Sequence, residues 1–178
     1  MSFLDLFKKK PKGPRINVRV WMNNTAKEKA CTKMALKEKS LIFIAWSKVT
    51  CQHFQELFNR QDIPNEVITA SDILPSRMTG KSFVFLERHY DHDKENKFLA
   101  SLGANEFLAH LSLHDPLLSV FNTGHIQNLM TSMGHDEGEF IEHEMIDKSI
   151  ERAMEKIKNS DLQGDVSTDL IEWIEGID

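Results

Sequence analysis

Little in this chain points to a specialised environment. Only two of its 178 residues are cysteine, Cys31 and Cys51. No metal or redox spacing links them, which excludes a disulfide framework and makes a reducing cytoplasm the expected setting. In that setting the Asn23-Asn24-Thr25 sequon carries no meaning. No apolar run approaches the roughly 20 residues of a membrane span. The opening MSFLDLF is too short for a signal sequence, and its positive charge follows the apolar part instead of preceding it. Positive charge is not in excess either. With 22 Lys and Arg against 27 Asp and Glu, and a net charge of −5, the balance excludes general nucleic-acid binding, which needs a basic face. No internal repeat is present. What remains is 40% apolar and 28% charged, the make-up of one soluble domain with a real core.

The first fifteen residues depart from that balance. Phe3, Leu4, Leu6 and Phe7 are followed by Lys8, Lys9, Lys10, Lys12 and Arg15, with Pro11, Gly13 and Pro14 breaking any regular structure. Residues 1–15 read as a basic flexible arm. Two uses are open to it: a solvated tail, or a peripheral contact in which Lys8, Lys9, Lys10 and Lys12 meet an anionic membrane surface.

From Ile16 strand and helix patterns alternate. Ile16, Val18 and Val20 form a first strand closed by Trp21 and Met22. A helix over 23–39 would point Ala26, Ala30, Met34 and Cys31 inward. Leu41-Ile42-Phe43-Ile44-Ala45-Trp46 is an unbroken apolar run, the mark of a parallel strand covered on both faces. Ser47 can cap the next helix, with Cys51, Phe54, Leu57 and Phe58 as its buried stripe. Further strands are expected at 67–69, 83–86 and 106–113, with a helix over 94–102 between the last two. This alternation predicts a three-layer α/β domain with a mostly parallel sheet.

The stretch from His110 to Lys158 adds a helical layer. Asp115-Pro116 supplies a capping side chain and a proline at the first helical position, where a missing N–H costs nothing. Ile126, Leu129, Met130 and Met133 make one stripe on a short helix that Gly134 can close. Ile146, Ile150, Ala153, Met154 and Ile157 share a face of the last long helix, with Glu144 and Lys148 four apart on the other.

The order of these residues resembles the second motor domain of SecA, the ATP-driven preprotein translocase. There a strand ending Ser-Leu-x-Asp-x-Leu-Met runs into Phe-Gly and Ile-x-x-Leu-Met-x-x-Leu-Gly-Met. An acidic linker and Ile-Glu-His-x-Met-(Val/Ile) follow. The counterparts are Ser112 to Leu118, Phe121, Ile126 to Met133, and Ile141-Glu142-His143-Glu144-Met145-Ile146 on to Ile157. Earlier, Ile63-Pro64-Asn65-Glu66-Val67-Ile68-Thr69-Ala70 is similar to the family's Ile-Pro-His-x-Val-Leu-Asn-Ala. Phe85-Leu86-Glu87-Arg88-His89 likewise lines up with Gly-Thr-Glu-Arg-His. The resemblance covers 16–158 and implies a RecA-like, P-loop NTPase-type fold with a C-terminal helical layer. By the same resemblance Glu87, Arg88 and His89 are the remnant of a nucleotide-binding motif, and ATP is the only cofactor implied.

Two departures weigh against catalysis. The family's long insertion holding Ala-Gly-Arg-Gly-Thr-Asp is reduced to Ser71–Ser82. Where the family carries Gln-Leu-Arg-Gly-Arg-x-Gly-Arg, the stretch Asn96 to Asn105 has no arginine. An arginine finger is worth roughly 10³–10⁵ in rate, and Lys97 lacks its forked geometry. A motor's first domain, which would bring the phosphate loop and the Mg²⁺-holding acid, is not in this sequence. No catalytic residue is therefore assigned. Pro75-Ser76-Arg77-Met78-Thr79-Gly80-Lys81-Ser82 mimics a phosphate loop, but it precedes a strand instead of following one and opening a helix, so it reads as a polar turn. His89, Asp91, His92, Asp93, His110 and His114 could hold zinc only if their geometry converged; surface or N-cap duty is the reading adopted, and no metal is assigned.

Residues 159–178 read as a linker and a short acidic amphipathic helix, with Leu170, Ile171, Ile174 and Ile177 on one stripe and Trp173 beside it. Such a tail can fold back on its own domain or enter a partner's groove. The expectation is a SecA-related, ATPase-inactive accessory module, cytoplasmic with an option of membrane association, whose partner is a protein of the export machinery or a related motor. The alternative is a nucleotide-binding protein, or a half-motor completing an ATP site in trans.

Overall fold

In the computed structural model the longest strands form where apolar residues alternate or run unbroken. The structure describes residues 14–119, 128, 131–132, 134, 136, 138–142, 144–159 and 168–177. Strand β1 (Arg15–Trp21) buries Val18, Val20 and Trp21, and β2 (Ile42–Ala45) is buried at every position. With β3 (Val67–Thr69), β4 (Phe83–Phe85), β5 (Glu106–Ser112) and β6 (Phe140–Ile141) they make a six-stranded sheet in the order β3-β2-β4-β5-β1-β6. All neighbouring pairs are parallel except β1 with β6.

Two buried clusters lie on opposite faces of this sheet, because successive strand residues point to opposite sides. One face carries Phe43, Ala45, Val84 and Leu86 and is covered by α1 (Asn24–Lys37) and α2 (Lys48–Arg60) through Cys31, Ala35, Cys51, Phe54 and Phe58. The other carries Ile42, Ile44, Phe85, Ala109 and Leu111. Onto it pack α3 (His92–Ser101), α4 (Pro116–Ser119), α5 (Glu144–Asn159) and α6 (Thr168–Glu175). The chain is thus a three-layer α/β domain of RecA-like form, as its alternation of strand and helix predicts.

Local chemistry sets the helix starts. Asn23 Oδ1 accepts from the Ala26 N–H (2.9 Å) at α1, and Ser47 Oγ from the Thr50 N–H (3.1 Å) at α2. Asp91 accepts from the Asp93 and Lys94 N–H groups, so α3 begins two residues before the expected Lys94. On α5 the buried residues are the expected Ile146, Ile150, Ala153, Met154 and Ile157.

Several expectations need correction. Helix α1 buries Ala26, Lys27, Cys31 and Ala35, while Ala30 and Met34 are only half-buried. Its inward stripe is turned toward the i, i+4, i+8 row of Lys27, Cys31 and Ala35, because Lys27 has a buried carboxylate to meet. Asp115 does not cap α4 with its side chain. Its Oδ2 reaches back to the Ser112 N–H (2.9 Å) and both oxygens take the Lys27 ammonium. The tail's inward residues are Leu170 and Trp173 on α6 and Ile177 in the turn just after it, with Ile174 half-buried and Ile171 36% exposed. The indole has moved to the centre because its N–H finds an acceptor in the core. This tail folds back on its own domain. Strand β6 has no sequence signal, two residues being too few to show a period.

The Pro75–Ser82 segment is a 3₁₀ turn (Pro75–Arg77) followed by Gly80 at φ +74° and then β4. Phe121, Ile126, Leu129, Met130, Met133 and His143 lie outside the described residues, as do the arm at 1–13 and the stretch 160–167. Gly134 is described, in the left-handed region at φ +78°. Among the described residues no helix is long and apolar enough to cross a membrane.

Candidate functional site at the carboxyl ends of the strands

Strand β4 ends at Phe85, and the chain continues through Leu86 into Glu87, Arg88 and His89, all buried. The Leu86 N–H still donates to the Ile44 carbonyl (2.8 Å), which keeps this segment tied to β2 and delivers Glu87 beneath the first turn of α2. There Glu87 Oε1 accepts from the Trp46 N–H (2.8 Å) and the Ser47 N–H (2.6 Å). Its Oε2 accepts from the Thr50 hydroxyl (2.7 Å) and from the Trp173 indole N–H (2.6 Å) of α6. Burial pushes the Glu87 carboxyl above its ordinary range, against the pull of Ser47, Thr50, Lys27 and Trp173. Four donors and no acceptor converge on it, the pattern that suits a carboxylate.

Arg88 points to α3 instead. Its Nε and Nη2 donate to Glu95 Oε1 (2.7 Å) and Oε2 (2.6 Å), a bidentate pair of which both members are buried. The His89 N–H also donates to Glu95 Oε1 (3.1 Å). The His89 ring accepts at Nδ1 from the Asp91 N–H (2.7 Å). The imidazole lies edge-on to Trp46 (4.9 Å) and stacked on Tyr90 (4.7 Å). Burial raises Asp91, but the Lys94 and Asp93 N–H groups and the charges of Lys158 and His89 outweigh it, so its carboxyl sits below the usual range.

A second charged constellation faces the same end of the sheet from the other side. Lys27 Nζ donates to both carboxylate oxygens of Asp115 (2.9 and 2.8 Å), joining α1 to the turn after β5. Next to it opens a pocket of about 320 Å³, lined among others by Asn24, Thr50, His53, His114, Glu172 and Trp173. Ligand sites of parallel α/β sheets sit at such carboxyl-terminal crevices.

The structure therefore brings Glu87, Arg88 and His89 together, but directs their hydrogen-bonding groups into the protein. His110 lies elsewhere, under α1, where Trp21 Nε1 donates to its Nδ1 (2.9 Å). Burial and the charges of Arg19 and Lys27 lower its pKa to about 3. His92 lies beside Asn96 on exposed surface, and His114 lines the pocket. Among the described residues no group of three or more His, Cys, Asp or Glu side chains is gathered to hold a metal ion. Sequence reasoning missed Lys27, Glu95 and Trp173 as site residues. None of the three is marked by its sequence neighbours, since α1 alone also carries Lys29, Lys33 and Lys37.

No family model matches the chain. Its similar proteins are SecA translocase subunits. The chain is 29% identical to the protein translocase subunit SecA of Anaeromyxobacter sp. (strain Fw109-5) over 135 residues, 74% of this chain and 14% of that protein. It is 34% identical to SecA of Chlorobaculum tepidum over 85 residues, 46% of this chain and 8% of that one. With SecA of Christiangramia forsetii the figure is 45% over 58 residues, 33% and 5%. The chain is thus related to SecA, and the matched stretches span only 5–14% of the length of these relatives.

Proposed function

We propose that this SecA-related chain corresponds to the translocase's second motor domain, has lost the groups that handle triphosphate, and acts as a protein-binding accessory module of preprotein translocation. The observation that carries this reading is the internal saturation of the strand-end charges. Glu87 already holds four donors and Arg88 is committed bidentately to Glu95. The Nε–Nη2 edge of the guanidinium is thereby taken, and because Arg88 is buried only its Nη1 side is left to meet a phosphoryl group. The stretch Asn96 to Asn105, with no arginine, supports the same reading. Its partner is then a protein of the export apparatus on the cytoplasmic side, and Lys8, Lys9, Lys10 and Lys12 add a peripheral contact with anionic lipid.

Calorimetric titration with ATP and ADP, with and without Mg²⁺, tests the first half. No heat at hundred-micromolar nucleotide is expected, and micromolar Mg²⁺-dependent binding overturns the assignment. Purified SecA immobilised on a sensor surface tests the second. Saturable, nucleotide-independent binding of the chain is expected. Hydrolysis that rises only when the two are mixed replaces the reading with a half-motor acting in trans.

A further inference from the structure

The outer face of α1 carries cations that the fold does not use. Lys29, Lys33 and Lys37 are each four residues apart, so they stand in one row about 12 Å long. All three are exposed, and none is in an ion pair among the described residues. By contrast, Arg19 meets Glu142 (2.7 Å) and Lys158 meets Asp93 (2.8 Å). Of the two acids beside the row, Glu28 is held by His53 Nε2 (2.8 Å), and Glu38 is exposed at the helix end next to Lys39. Leu36 stands among the lysines, 63% exposed, and lines the same groove as they do, against Leu57 of α2. Lysines flanking an outward apolar side chain are the pattern of a helix that lies on a membrane interface, with ammonium groups at the headgroups and the apolar group at their boundary.

The topology puts this row beside the basic arm. Strand β1 ends at Trp21, and α1 starts at Asn24 and runs back along β1 and β5 before β2 sets out parallel to them. The last turn of α1 therefore lies at the amino ends of the strands. There the chain enters β1, the Arg15 N–H donating to the Asn105 carbonyl (2.8 Å). Lys8, Lys9, Lys10 and Lys12 precede Arg15 by at most seven residues, a reach of no more than about 25 Å. Arm and row can thus stand on one patch of surface. With a net charge of −5, attraction to an anion must come from such a local face, since distant charges are screened. The apolar Phe3, Leu4, Leu6 and Phe7 of the arm, with Leu36 on the helix, favour lipid over an acidic polypeptide as the occupant.

We infer that the outer face of α1 is a second membrane-contact element, in which Lys29, Lys33 and Lys37 meet the anionic headgroups of a phospholipid bilayer and Leu36 enters their boundary. This deepens the lipid contact proposed for the arm and rests on that reading for the kind of surface met. One weak anchor gives only reversible binding, and stable attachment takes two. Two anchors on one folded domain also fix its orientation. The layer of α3 and α5, on the opposite face of the sheet, is turned away from the bilayer and left open to a protein partner.

The test is co-sedimentation of the full chain with vesicles of phosphatidylcholine, alone or with about 30% phosphatidylglycerol. Wild type is expected on the anionic vesicles and not on the neutral ones. Lys29→Gln/Lys33→Gln/Lys37→Gln should lower that partition at least tenfold, each cation at the surface being worth about fivefold. A control of equal charge on α3 and α5, Lys94→Gln/Lys97→Gln/Lys156→Gln, should change it less than twofold. A row variant that behaves like the control overturns the inference, and so does equal binding of wild type to both vesicles. Loss only in Lys8→Gln/Lys9→Gln/Lys10→Gln/Lys12→Gln keeps the arm's contact and removes the row's, whereas loss only in the row variant supports the row and removes the arm's. No partition of the wild type overturns both; if binding to immobilised SecA is then row-dependent, the face belongs to an acidic protein surface. A second reading comes from Leu36→Cys labelled with nitrobenzoxadiazole, since Cys31 and Cys51 are buried. Its emission should shift to the blue on anionic vesicles, and an unchanged spectrum on vesicle-bound protein overturns the inference.

Discussion

Two buried cation–carboxylate pairs sit at the same end of the sheet and do different work. Arg88 and Glu95 are seven residues apart and hold one turn of α3 against the end of β4. Lys27 and Asp115 are 88 residues apart and clamp α1 to the turn that follows β5. The local pair forms as soon as α3 does. The distant one forms only when the sheet has assembled, since β1 and β5 must first lie side by side in the register that sets Trp21 opposite Ser112. Burying either pair costs desolvation that its own attraction barely offsets. What they contribute is position: the first fixes a loop, and the second fixes which face α1 turns inward.

The comparison is broken most directly by removing one partner at a time. Lys27→Met leaves Asp115 buried with the Ser112 N–H as its donor, and is expected to cost about 3–5 kcal/mol of unfolding free energy in urea denaturation. The double variant Lys27→Met/Asp115→Leu should recover most of that loss. Arg88→Leu is expected to cost a comparable amount, but Glu95 sits in the capped first turn of α3 with the His89 N–H still donating to it. Its damage in hydrogen exchange should stay within α3, whereas Lys27→Met should loosen α1 and β5 together. Identical exchange patterns for the two variants would remove the distinction.

Acid sharpens it next. His110 is buried beside Trp21 on the face covered by α1, with its pKa lowered to about 3 from 6.5. The unfolded chain therefore takes up a proton that the folded chain refuses. Stability from this group is complete above about pH 6.5 and falls as pH drops toward 3, by roughly 1.4 kcal/mol per pH unit. The urea midpoint should fall between pH 6.5 and 4 more steeply for the wild type than for His110→Gln. Parallel profiles would remove His110 from the account. A smaller effect attends Trp173→Phe, which deletes one hydrogen bond to a carboxylate that keeps three others, and should cost about 1–2 kcal/mol. The smallest concerns the thiols. Burial pushes Cys31 to about 12 and Cys51 to about 11. Neither should react measurably with iodoacetamide at pH 8 until denaturant is added.

Much of the architecture is legible in the residues themselves. The unbroken run from Leu41 to Trp46 announces a strand covered on both sides, and Ser47 and Asp115-Pro116 announce helix starts. The Ile146 to Ile157 stripe turns inward as its spacing requires. Hidden features depend on partners far away in sequence. Nothing near Lys27 shows that it goes inward, because its partner lies 88 residues on. Nothing near Trp173 shows that the indole sits at the centre of its helix face, because Glu87 lies 86 residues back. Asp115 carries a correct signal for a helix start and spends its carboxylate elsewhere, on the buried Lys27 ammonium and the Ser112 N–H behind it. Glu87, Arg88 and His89 are adjacent in sequence and adjacent in space, yet their partners decide what chemistry remains open to them.

The outer strands of the sheet have one more consequence. At the flanks lie β3, three residues long, and β6, only two, while the seven-residue β1 and β5 are enclosed between neighbours. A flank so brief offers another polypeptide few open backbone valences on which to stack, and a sheet that tapers in this way resists growing into a filament.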